Sequence, residues 1–240
     1  MKILAFDTTA KAASAAVCED EKLLALYNID NGLTQSELLL PMIESLLASL
    51  KLDYSDISLF ATATGPGSFT GVRIGVSLLK GIAFGRDAAC VGVSTLEALA
   101  ENARGLSGII VSVMDARRSE FYNAVFRAEN GRIARLTPDR AISADELARE
   151  LSAYNEEIYL VGDGYDIAAK LLSERGLSLS ETPMLLRGQS AYSIAALALK
   201  KYRCGEAVGD LDIMPTYLRL PQAERERLER EINKKGENKL

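Results

Sequence analysis

The sequence predicts an α/β protein built from two copies of one unit, each a β-β-β-α-β-α-β-α lobe around a mixed sheet. Three observations carry this. The apolar run Lys2-Ile3-Leu4-Ala5-Phe6-Asp7 returns 108 residues later as an apolar strand ending in Met114-Asp115, and an echo at a fixed offset marks a repeated unit. At the same offset Ser14-Ala15-Ala16-Val17-Cys18 falls on Tyr122-Asn123-Ala124-Val125-Phe126. In both halves short charged turns (Glu19-Asp20-Glu21; Glu129-Asn130-Gly131) join the leading strands, whereas later strands are reached through helices. The leading three should therefore be antiparallel, and the rest should add in parallel by right-handed crossovers.

In the first half, Thr34-Gln35-Ser36-Glu37 reads as a capping box for a helix over 35–50, its hydroxyl and carboxylate each serving a free backbone donor. Leu38, Leu39, Leu40, Met42, Ile43, Leu46, Leu47 and Leu50 cover roughly 200° of its wheel, and Pro41 should kink it near Glu37. A strand at 57–63 leads into Gly65-Pro66-Gly67-Ser68-Phe69-Thr70-Gly71 and a helix over 70–85. On that helix Gly71, Gly75, Gly81 and Gly85 share roughly 120° of arc with Ile74, Leu78 and Ile82, while Val72, Val76, Leu79 and Ala83 form a second strip. One strip suffices to lie on a sheet. The helix pair therefore either covers itself within one chain or offers apolar surface to a partner. A strand at 88–93 and a helix at 94–103 complete the first half. The second half reads as a helix opening at the capping box Ser143-Ala144-Asp145-Glu146, a strand at 157–162, a helix at 164–175, a strand at 183–186 and a helix at 190–203. This gives domains of 1–105 and 106–220 and a charged tail over 221–240, a solvated helix or frayed end by composition.

Composition narrows the chemistry. The chain has 240 residues, 48% of them hydrophobic, a net charge of −5 and no histidine. A globular protein follows, without Ser-His-Asp or Cys-His catalysis, an HExxH zinc site or any histidine base; no metal site is expected. The acidic balance argues against holding a polyanion unaided. Cys18, Cys90 and Cys204 have no CxxC spacing, which fits a reducing cytoplasm and core roles. With neither a signal peptide nor an eighteen-residue apolar run, the expectation is a cytoplasmic protein without a membrane span.

The glycine turn fits neither common phosphate loop: four residues after Gly65 stands Thr70, and Gly65 to Gly71 spaces as G-x-G-x-x-x-G. The unit order resembles the actin/hexokinase/Hsp70 ATPase superfamily (the actin-like, or ASKHA, fold), which implies a nucleotide in the cleft between lobes and a phosphate-holding turn after each first strand. The corresponding turns here, Asp7-Thr8-Thr9-Ala10-Lys11 and Asp115-Ala116-Arg117-Arg118-Ser119, contain no glycine to wrap a phosphate. Asp7 reads as a metal or water contact or as a strand-end turn residue, Thr8 and Thr9 as hydroxyl donors. Arg117 and Arg118 read as bidentate phosphate ligands or as a solvated turn. Val161-Gly162-Asp163-Gly164 stands where that superfamily has its adenosine loop, in a shorter form.

Ile3-Leu4-Ala5-Phe6-Asp7-Thr8-Thr9, the block Gly65 to Gly85, Val93-Ser94-Thr95-Leu96-Glu97-Ala98-Leu99, Asp115-Ala116-Arg117-Arg118 and Pro215-Thr216-Tyr217-Leu218-Arg219 together resemble the TsaB (YeaZ) family, from residue 1 to about 225. The resemblance implies a non-catalytic subunit of the machinery that makes N6-threonylcarbamoyladenosine on tRNA. It implies pairing with the paralogue TsaD through helices 35–50 and 70–85, with TsaE joining the pair, TsaC supplying the activated intermediate, tRNA met through the complex, and self-pairing when alone. On this reading Glu37, Leu38, Met42, Leu46, Arg73, Gly75, Val76, Leu78 and Ile82 are partner-binding. No cofactor of its own is expected, beyond weak ATP or ADP binding at Asp7, Thr8, Thr9, Arg117 and Arg118. Gly75→Leu or Leu78→Glu should abolish pairing without unfolding the monomer. Gln35 stands where members often have histidine. The tail is solvated or touches tRNA or a partner. An independent small-molecule kinase or ATPase is the alternative, and a peptidase, an old label of the family, a more distant one.

Overall fold

The computed structural model describes residues 1–117 and 120–219; Arg118 and the 221–240 tail lie outside the described residues. The first sheet has the order β3-β2-β1-β4-β5, from β1 (Lys2–Asp7), β2 (Ala13–Glu19), β3 (Lys22–Ile29), β4 (Leu59–Gly65) and β5 (Ala89–Ser94). As expected, β1 and β2 are antiparallel, β2 and β3 likewise, and β4 and β5 add in parallel. β1 is central, and Ile3, Leu4, Ala5 and Phe6 are all fully buried, because a strand covered on both faces needs an unbroken apolar run.

Helices α1 (Gln35–Leu50) and α2 (Phe69–Ala83) cover one face. Leu39, Ile43 and Leu46 meet Val72, Val76 and Leu79 over Leu4, Phe6 and Phe60 in one core. α1 opens on Thr34, whose amide and hydroxyl both donate to the Glu37 carboxylate at 3.0 and 2.6 Å. Those bonds hold the Glu37 carboxyl below its ordinary range. The helix runs through Pro41, which lies on its exposed side, where water can serve the carbonyl that proline leaves without a donor.

The second sheet comprises β6 (Gly108–Asp115), β7 (Glu120–Glu129), β8 (Arg132–Arg135), β9 (Arg140–Ser143) and β10 (Ile158–Val161). Its order is β10-β6-β7-β8, with β9 also on β7. Here the expected unit is corrected twice. Its third strand is split: β8 pairs with 126–129 and β9 with 120–123 of β7. Pro138 lies in the break and has no amide to give a ladder. The strand expected at 183–186 is a helical turn, α6 below, while Ser180 alone bridges Tyr159. A four-residue apolar run has no readable period, and Pro183 at its head suits a helix start.

The remaining helices are α3 (Thr95–Asn102), α4 (Ala144–Leu151), α5 (Tyr165–Ser173), α6 (Met184–Arg187) and α7 (Ala191–Arg203). α4 and α5 cover one face of the second sheet. The last helix of each half crosses over. Leu96, Leu99 and Ala100 of α3 pack on Ile110, Met114 and Phe126 of the second sheet. Ile194, Ala195 and Ala198 of α7 pack on Ile3, Ala5 and Ala61 of the first. A boundary at 105/106 therefore divides the sequence repeat but not the packed lobes, each of which is completed by an adjoining helix of the other half. The whole keeps a duplicated arrangement of two mixed sheets flanked by helices. Among the described residues no helix is long and apolar enough to cross a membrane.

Candidate functional site

Two places concentrate the residues singled out above: the cleft between the lobes, and the outer face of α1 and α2. At the cleft, β1 ends in a turn whose polar groups face one another. The Asp7 carboxylate accepts from the amide and the hydroxyl of Thr9 at 2.7 and 2.6 Å. Thr8 Oγ1 donates to the Gly71 carbonyl at 2.7 Å, and the Ser68 amide donates to the Thr9 carbonyl at 2.7 Å. Asp7, Thr8 and Thr9 are each 1% exposed. Burial pushes the Asp7 carboxyl up, against the pull of the Thr9 and Thr8 hydrogen bonds.

The glycines of the 65–71 block serve this closure. A Cβ on Gly71 would lie 1.9 Å from the Thr8 carbonyl oxygen, and one on Gly67, at φ +158°, 2.6 Å from that of Thr9. The start of α2 is thus packed backbone to backbone on the turn after β1, where the resemblance led a phosphate to be expected, and both threonine hydroxyls are already donating. The first turn does not fit a phosphate. On the second turn, Arg117 adopts a left-handed conformation, φ +65°, and its amide donates to Asp115 Oδ1 at 2.7 Å.

Between the turns lies a cavity of about 710 Å³, lined by Lys11, Gln35, Phe69, Asp115, Arg117, Asp163 and Tyr217 among others. Gln35 Nε2 donates to the carbonyls of Ala10 and Lys11 at 2.9 and 2.6 Å, so Gln35 ties α1 to the first turn. Asp163, after β10, is reachable by water. Its surroundings nonetheless push its carboxyl up to about 6, chiefly by desolvation and then by the charges of Asp115 and Asp7. A carboxyl raised in the folded state binds its proton more tightly there than in the unfolded chain. Its favourable contribution is therefore complete below about pH 4 and fades as pH rises through about 6. Asp163→Asn is expected to flatten this part of the stability profile, and denaturant melts at pH 4, 5, 6 and 7 check it. An unchanged slope would place the titration elsewhere.

On the helix pair the expected partner residues divide. Met42, Leu46, Val76 and Ile82 are at most 8% exposed and belong to the chain's own core. Gly75 is buried too, where a Cβ would stand 2.8 Å from Thr8 Oγ1 and 2.9 Å from Thr62 Oγ1. These five pack within the chain itself, and a leucine at Gly75 would press on Thr8 and Thr62 rather than spare the fold. At Gly71 and Gly75 the glycine-lined arc of α2 faces its own sheet, where Thr8 and Thr62 come close beneath it. Glu37 and Arg73 are exposed, and Leu38 and Leu78 are half-buried against the core. The outward strip of α2 is different: Arg73, Phe84, Ser77, Gly81 and Ile74 span roughly 100°. Phe84 is 73% exposed, and a Cβ on Gly81 would meet nothing within 4 Å. The glycine arc expected from the sequence is thus split: Gly71 and Gly75 are buried, while Gly81 is exposed beside Phe84, which follows α2. Exposure around a helix depends on what lies beneath each side, and the apolar pattern alone does not carry that.

The family model described as TsaD: tRNA N6-adenosine threonylcarbamoyltransferase matches residues 34–225. The chain is 31% identical to the tRNA threonylcarbamoyladenosine biosynthesis protein TsaB of Escherichia coli, over 91% of this chain and 95% of that one. It is 29% identical to the protein of that name from Bacillus subtilis, over 93% and 96%. Among solved structures, YeaZ from Pseudomonas aeruginosa superposes with a TM-score of 0.74 at 25% identity, covering 90% of this chain and 99% of that chain.

Proposed function

Because this chain belongs to the TsaB family, we propose that it serves tRNA threonylcarbamoyladenosine synthesis as a non-catalytic subunit that docks a TsaD-type transferase, with a TsaE-type ATPase joining the pair and a TsaC-type enzyme supplying the activated intermediate. The observation that carries the reading is the outward strip of α2. Its centre is made of Ser77 and Gly81, side chains small enough for another helix to approach closely, between Ile74 and Phe84. Close helix packing runs at about 8–10 Å between axes, depending on the side chains at the contact. A second observation supports the absence of chemistry: the first phosphate turn is filled by the start of α2, so nucleotide binds weakly at most.

The test is reconstitution. Purified TsaC, TsaD and TsaE homologues of the same organism, with tRNA, threonine, bicarbonate and ATP, are expected to modify tRNA when this chain is added and to fall at least about tenfold without it. The chain alone with ATP and magnesium is expected to show no turnover above buffer. Clear turnover alone would favour an independent ATPase or kinase, and full modification without the chain would end the subunit reading.

A further inference from the structure

After α7 the chain turns back along the edge of the first lobe and is fastened at three points. Val208 exchanges backbone hydrogen bonds with Cys90 of β5, both at 2.9 Å. Ile213 is 3% exposed within the core beneath α1 and α2. The Thr216 amide donates to the Thr64 carbonyl at 2.7 Å, and Gly65 leaves no room for a side chain there, since its Cβ would lie 2.5 Å from the Thr216 oxygen.

Between these anchors the segment lies along α2. Lys80 Nζ donates to the Leu211 carbonyl at 2.9 Å and reaches Met214 Sδ at 3.8 Å. The Arg73 guanidinium sits 3.9 Å over the Phe69 ring and donates to Tyr217 Oη at 2.9 Å, while Phe69 and Tyr217 stack at 4.6 Å. A strap held so closely nevertheless turns Leu211, Met214 and Tyr217 outward, 73%, 65% and 42% exposed. Single exposed apolar residues need no explanation, but a fixed row of them beside an exposed helix face does.

We infer that the strap over 208–217 is a third rail of the docking surface, beside α1 and α2, and that the TsaD-type subunit covers it; this rests on the reading given under Proposed function. Two features of this flank fit that occupant. A stable interface needs about 800 Å² from each partner, and with Met42, Leu46, Val76 and Ile82 in the core, the helix pair keeps only Phe84 and Leu40, 73% and 39% exposed, as exposed large apolar side chains among the described residues. The strap brings three more alongside it. The charge does not favour nucleic acid either: Asp210 and Asp212 of the strap offset Arg73 and Lys80 on this flank, which leaves a contact without net positive charge. A TsaD-type chain shares the matched region 34–225 and so carries a helix pair of its own to lay there.

The full chain carrying Leu211→Asp with Met214→Asp is titrated against the TsaD homologue by calorimetry, beside Gly81→Trp and the wild type. Binding is expected to weaken about 30-fold in the strap variant, with unchanged melting because both side chains are outside the core; a pair of interface hot spots has effects of this order. Should the aspartates lower the melting temperature, Leu211→Ser with Met214→Ser is measured instead, with the same two outcomes. Wild-type affinity in the strap variant with weakened binding in Gly81→Trp overturns the strap and leaves the helix reading standing. Wild-type affinity in both overturns both. Loss confined to self-association or to tRNA binding assigns the strap another occupant and overturns the inference.

Discussion

Gly71→Ala is expected to destabilise the protein by about 2–4 kcal/mol, a large part of the 5–15 kcal/mol that usually separates folded from unfolded domains. The added methyl would stand 1.9 Å from the Thr8 carbonyl oxygen and 3.0 Å from its carbon. The obstacle is backbone, and neither side can yield by changing a rotamer. Overpacking of this kind costs about 1–3 kcal/mol and occasionally more. Moving α2 away also breaks the Thr8 hydroxyl bond to the Gly71 carbonyl, worth about 1 kcal/mol when its partners stay buried. At about 2–4 °C per kcal/mol for a chain of this size, melting should fall by roughly 4–16 °C. Gly81→Ala is the internal control: with nothing near its Cβ, it should gain about 0.5–1 kcal/mol from helix propensity alone. A Gly71→Ala protein that melts within a degree or two of the wild type would disprove the close approach of α2 to the first turn, and with it the argument that the turn has little room for a phosphate.

The same geometry marks how far the sequence could be read. The duplication was legible because strands with both faces buried leave continuous apolar runs, and two such runs ending in Asp7 and Asp115 stand at a fixed offset. Helix starts were legible through Thr34-Gln35-Ser36-Glu37 and Ser143-Ala144-Asp145-Glu146, whose bonds are local. Glycines gave a signal whose meaning was not local. Gly71 and Gly75 are small because Thr8 and Thr62 lie beneath them, and Gly81 is small with nothing beneath it. A helical wheel assigns all three to one arc and cannot say which neighbours arrive from 60 residues away. The crossing of α3 and α7 was hidden for a related reason: each helix has an apolar side, and neither pattern names the sheet that it meets. The strap left only Pro215-Thr216-Tyr217-Leu218-Arg219 as a trace, because its bonds to Thr64, Arg73 and Lys80 span more than 130 residues. What is local in energy was visible, and what depends on long-range closure was not.

Gly81→Trp is expected to leave the monomer intact and to weaken its pairing with the TsaD-type subunit at least about 100-fold. The two halves of that expectation have separate causes. The monomer tolerates the change because Gly81 is exposed, its Cβ position is open and no left-handed conformation is required there; helix propensity even favours the larger residue. Pairing does not tolerate it, because an indole on the centre line of the strip, one turn from Ser77 and three residues before Phe84, holds any facing helix several ångströms away. Contacts along the whole strip are then lost together, since dispersion falls steeply with a gap of even 1 Å. Had Gly75 been used instead, lost pairing and lost folding would have been indistinguishable, because its Cβ meets Thr8 and Thr62 inside the chain. Circular dichroism melts and calorimetric titration on the same preparation separate the two effects for Gly81. A Gly81→Trp chain that melts normally and still pairs with wild-type affinity would mean that the partner sits on another face, and that the outward strip of α2 is not the docking surface.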